Sequence, residues 1–109
     1  MGITKAEALK AVDRERGPVC EASDRIWDQP ETAFQEFYST DVLCELLEKE
    51  GFRVERNLAG IATAFSGTYG SGKPVVGILG EFDALSGLSQ ESESLEKTAL
   101  VDGAPGHGW

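Results

Sequence analysis

Residues 74–80, PVVGILG, carry no polar side chain and stand between a glycine-rich turn and an acidic pair. A strand with one wet face alternates apolar and polar residues, so a run without alternation predicts a strand covered on both faces. Such a strand demands neighbours. It commits the chain to an α/β arrangement in which helices and further strands enclose the run. Left with open edges, the same run is an aggregation hazard, and the isolated chain is expected to be poorly soluble.

The upstream sequence supplies the candidate layers. Residues 5–28 predict a helix, with Leu9 and Val12 as one apolar pair and Val19, Ala22 and Ile26 continuing the stripe. Pro18 lacks an amide proton and clashes with the preceding turn, which predicts a break or kink at Gly17-Pro18, and Pro30 ends the helical pattern. The segment "YSTDVLCELLEKEGF" predicts a second helix, apolar at Val42, Leu43, Leu46 and Leu47. Ser39, Thr40 or Asp41 is expected to cap it, and Gly51 to close it in the left-handed conformation. From Phe52 the period shortens: "FRVERNL" alternates like an exposed strand and "IATAFSG" reads as another. With 74–80 that makes about three strands.

Gly67, Gly72 and Lys73 match the G-x-x-x-x-G-K spacing of a phosphate-binding loop. That loop needs a Ser or Thr next, where this chain has Pro74, and it must lead from a strand into a helix. Here the glycines are expected to join strand to strand. A turn with Lys73 in solvent is the better reading.

With 109 residues there is room for one small domain. Nineteen acidic residues against ten basic give a net charge of −9, which repels phosphate and so argues against nucleic acid or anionic lipid as a partner. No apolar run approaches the ~20 residues needed to cross a bilayer, and the charged N-terminal segment does not read as a secretory signal. A cytoplasmic location is expected. Cys20 and Cys44 lack C-x-x-C spacing and lie on predicted helices, which suits buried free thiols in a reducing compartment.

Candidate chemistry is concentrated after the apolar run. Glu81 and Asp83 follow it, in the position where α/β sheets open a ligand crevice, but residues two apart on an extended segment point to opposite sides. One could face a crevice; solvated or structural roles remain open for both. His107 is the only histidine, and in its Gly-rich setting an exposed loop position is expected. A catalytic zinc wants three protein ligands, and His107, Asp83 and Glu81 are the only nominees, so no complete metal site is expected. There is no G-x-S-x-G elbow. Residues 86–109 read as a loop with one helical turn near Leu95, ending without a closing helix or strand.

Three stretches carry a resemblance: "IWDQPETAFQEFYSTDVLCELLEKEGFRVERNLAGIATAF", "GSGKPVVGILGEFDALSGLSQ" and "GAPGHG". Together, from about Ile26 to Gly108, they resemble the N-terminal part of the M20 metallopeptidase family. The branch they resemble most is that of the amidohydrolases related to the aminobenzoyl-glutamate utilization protein B. The resemblance implies a two-domain, metal-dependent hydrolase of amide bonds in small acyl- or aryl-amino acids, using a pair of zinc or manganese ions. It implies that Asp83 matches an aspartate orienting the site. Glu81 matches a position that is a metal-binding histidine in other branches, and here is expected to support a ligand instead.

The match has departures. In this branch the Gly-His-Gly run continues into Cys-Gly-His-Asn, whose Cys and second His bind metal. His107 matches the earlier, non-ligand histidine, and Trp109 stands where the ligand Cys is expected. "DALSG" replaces the commoner "DALPG", which costs turn rigidity at Ser86. Residues 1–109 are thus expected to be part of an M20-type catalytic domain, with an N-terminal helix over 1–25 and a loop-rich end over 86–109. The lid or dimerisation domain, which in full-length relatives would make a homo-oligomer, is expected to be absent, and the chain to be inactive alone. The alternative is a non-catalytic acidic interaction or regulatory module built on the start of that fold.

Overall fold

The computed structural model describes residues 2–108. Helix α1 runs from Lys5 to Asp28 and opens on a capping box: Glu7 N donates to Thr4 Oγ1, and Thr4 N donates to the Glu7 carboxylate. Those bonds from Thr4 hold the Glu7 carboxyl below its ordinary range. The expected break at Pro18 does not occur, and the helix passes through it. Gly17 explains part of the tolerance, because a residue without Cβ removes one of the clashes that proline imposes on its predecessor.

Helix α2 spans Phe37–Lys49 and packs against α1 through buried Ala22 and Val42, the latter 2 % exposed. Arg25 fastens the pair by lying over the Tyr38 ring, 5.5 Å from its centroid, and donating from Nε to Tyr38 Oη at 3.1 Å. The anticipated apolar stripe of α1 is only partly used. Ala22 is buried and Ile26 half-buried, whereas Leu9, Val12 and Val19 are exposed. Of the two cysteines expected to be buried, Cys44 is, and burial pushes its thiol pKa up; Cys20 is exposed on α1.

The sequence-based cap of α2 is also wrong in a definite way. Ser39 and Thr40 lie inside the helix and are buried, and Asp41 is inside it too. The carboxylate of Glu31 does the capping, accepting from Tyr38 N at 3.0 Å, Ser39 N at 2.7 Å and Ser39 Oγ at 2.7 Å. Gly51, at φ +87°, closes the helix as expected, and Phe52 N donates back to Leu47 O.

Strands β1 (Arg53–Arg56) and β2 (Phe65–Thr68) form an antiparallel pair in the register Arg53 to Thr68 and Arg56 to Phe65. A 3-10 turn at Leu58–Gly60 and a further turn link them, so only the second half of "IATAFSG" becomes strand. Gly67 sits flush on α2: a Cβ there would stand 3.0 Å from Leu47 Cδ1. Thr40 Oγ1 donates to Thr63 O, and Arg56 pairs with Asp41, tying the hairpin to the helix.

The α/β class is as expected, but the third strand is not formed. Residues 74–80 pair with no strand among the described residues, and Val75, Val76, Ile78 and Leu79 are 85, 82, 96 and 92 % exposed. Lys73 is exposed and no helix follows it among the described residues, which disposes of the phosphate-loop geometry. No helix among the described residues is long and apolar enough to cross a membrane.

Candidate functional site

The segment 81–85, EFDAL, returns to the folded body and is fixed at three successive points. Phe82 packs on Phe65 of β2 with ring centroids 5.7 Å apart. Ala84 is buried; its N–H donates to Glu31 O at 2.7 Å, in a parallel bridge between Thr32 and Ala84. Leu85 exchanges two backbone hydrogen bonds of 3.0 Å with Gly106. Asp83 therefore lies between two anchored neighbours. It is half-buried and makes no hydrogen bond to the described residues, while Glu81 is exposed.

The Gly-His-Gly run meets this segment from the other side. A Cβ on Gly106 would stand 2.2 Å from Leu88 O, and one on Gly108 would stand 2.6 Å from Gln90 Cβ, so both positions require glycine for close approach. The contact is held by Gly108 N donating to Leu88 O and Ser89 N donating to Ala104 O, both at 3.0 Å. His107, between the two glycines, is half-buried with its ring against Trp27 of α1 at 6.4 Å. Expected as an exposed loop residue, it is instead held inside. Its Nε2 is buried and has no partner among the described residues.

The loop that joins these pieces is ordered without secondary structure. Gln90 Nε2 donates to Glu96 O, its Oε1 accepts from Thr98 N, and Ser89 Oγ accepts from Val101 N. The helical turn expected near Leu95 is absent, and Leu95 is exposed. Trp109, expected at the position of a ligand cysteine, lies outside the described residues.

Sequence reasoning missed two carboxylates, of which Glu31 meets the 81–85 segment through the Ala84 N–H. Glu31, the α2 cap, keeps its pKa below the ordinary carboxylate range; desolvation pushes it up, but hydrogen bonds from Ser39 and Tyr38 outweigh that. Glu36, immediately before α2, is buried and its Oε2 has no partner among the described residues. Glu31 carries no local capping signal, since its carboxylate partners lie seven and eight residues ahead in the chain.

The geometry thus joins Asp83 and His107 through bridged segments and leaves Glu81 at the surface. As donors for a metal pair the set is insufficient: among the described residues no three His, Cys, Asp or Glu side chains converge.

No family model matches the chain. Over 98 residues it is 45% identical to a subunit of the p-aminobenzoyl-glutamate hydrolase of Escherichia coli (strain K12), a similarity that covers 90% of this chain. The chain spans about a fifth of that relative's length. The 98 matched residues take in most of the helices and the hairpin, so the chain is similar to that hydrolase subunit over most of its own length.

Proposed function

We propose that this chain supplies one wall of the active site of an amide hydrolase acting on small acyl- or aryl-amino acids, with p-aminobenzoyl-glutamate as the reference substrate. The observation that carries the reading is the 45% identity to a p-aminobenzoyl-glutamate hydrolase subunit. The Leu85–Gly106 bridge between the segments that carry Asp83 and His107 supports it, because these are the residues the family resemblance assigns to the site's border.

In this reading Asp83 offers a half-buried carboxylate that can orient a neighbouring donor or hold a proton, and Glu81 supports from the solvent side. His107 offers a buried ring nitrogen to a group outside this stretch. The divalent pair, zinc or manganese, would polarise the amide carbonyl and lower the pKa of water. The described residues do not fit it by themselves, so its ligands and the general base belong to sequence outside this stretch, and the chain alone is inactive. The relative is named as a subunit, in keeping with an assembly of chains; the exposed run 74–80 is surface such additional polypeptide would cover.

The test is a chimera in which the corresponding stretch of the Escherichia coli protein is replaced by this chain. Hydrolysis of p-aminobenzoyl-glutamate is expected in the chimera, and Asp83→Asn is expected to lower it about 10- to 100-fold, the usual cost of losing an orienting partner. A folded chimera without hydrolysis would instead favour a non-catalytic acidic module, the reading that the missing donor cluster supports.

A further inference from the structure

Glu31 is engaged at both ends of its own structure. Its carboxylate takes three hydrogen bonds from the first turn of α2, and its backbone carbonyl takes the N–H of Ala84, the residue after Asp83. The Thr32 to Ala84 bridge extends the same contact by one residue. No other described residue bonds both the helix start and the 81–85 segment.

We infer that Glu31 is a positioning residue for Asp83: the carboxylate clamps residues 31–32 to α2, and the clamped backbone in turn fixes the 83–84 peptide. The mechanical logic is direct. A carboxylate on helix-terminal N–H groups forms charge-assisted bonds, stronger than neutral ones, so residue 31 has little freedom once α2 is formed. Ala84 is buried with its donor aimed at Glu31 O and has no alternative acceptor in water, so releasing residue 31 releases Ala84. Asp83 then loses one of its two fixed neighbours. The importance of this for catalysis rests on the hydrolase reading; the coupling between α2 and Ala84 does not.

Residue-resolved hydrogen exchange on the 109-residue chain, read by mass spectrometry at low micromolar concentration, tests the coupling. Glu31→Gln keeps the shape and removes the charge. Exchange is expected to speed up at least tenfold at Tyr38, Ser39 and Ala84 together, with Phe52 unchanged. Ser39→Ala, which deletes only the hydroxyl donor, is expected to give a smaller rise at Tyr38 and Ala84 and covers the case in which Glu31→Gln does not fold. Faster exchange at Tyr38 or Ser39 with Ala84 unmoved, in either variant, overturns the inference. In the chimera, Glu31→Gln is expected to lower kcat without raising KM, and to have no further effect once Asp83 is Asn. A folded chimera without hydrolysis sinks the hydrolase reading, and an Asp83→Asn kcat that is unchanged sinks the role given to Asp83, while in both cases the exchange result still decides the coupling.

Discussion

The stretch from α2 to β2 and the run 74–80 both carry large apolar side chains, and these meet opposite fates. In the first, every element finds a partner: Val42 and Cys44 are buried on α2, Gly67 lies on Leu47, and Arg53–Arg56 pairs with Phe65–Thr68. In the second, four large aliphatic side chains stand more than 80 % exposed. Local pattern states what a segment requires, and only available neighbours decide whether it is satisfied. Such a patch of aliphatic surface is unusual on a soluble monomer and marks a place to be covered.

The comparison can be broken at its strong side first. Val42→Asp places a charge at a position only 2 % exposed in the α1/α2 seam and is expected to cost about 4 kcal/mol or more, enough to abolish a cooperative melt followed by circular dichroism. A folded Val42→Asp variant would mean that the α1/α2 seam is not the core.

The next effect is a pH dependence at the start of α2. Glu31 has a folded-state pKa below its unfolded value of about 4.3, so its contribution is complete above about pH 5 and is lost as pH falls through the folded value. A cap of this kind contributes about 1–2 kcal/mol. Glu7 shifts in the same direction, so the measurement is the difference between the parent and Glu31→Gln. The difference in melting temperature is expected to be present at pH 7 and to shrink below pH 4; a pH-independent difference would remove the cap from the account.

The smallest effect belongs to the weak side. Ile78→Asp changes an almost fully exposed residue and is expected to alter stability by less than about 0.5 kcal/mol while reducing self-association seen by light scattering. A large loss of stability would show that 74–80 already packs on something.

These contrasts also explain which features the sequence disclosed. Helix α2, its Gly51 terminus and β1 follow from period and turn chemistry within a few residues, and they appear where expected. The features it concealed depend on distant chain. Glu31 caps a helix that begins six residues later, and no S/T-x-x-E pattern announces it. Leu9, Val12 and Val19 have helical spacing, yet the seam with α2 uses Ala22 instead. His107 read as exposed because glycine-rich segments usually are. Here Gly106 and Gly108 serve close backbone approach, which draws the imidazole inward. The acidic segment 81–85 was visible as a candidate from its place after an apolar run, but its bridge to Gly106 required the fold.

The most direct measurement is amide hydrogen exchange across 75–79, compared between this chain alone and the chimera with the full hydrolase subunit. The account predicts near-free exchange in the chain and at least hundredfold protection in the chimera, because only there does the run gain strand neighbours. Protection already present in the isolated chain, or no protection in an active chimera, would contradict it.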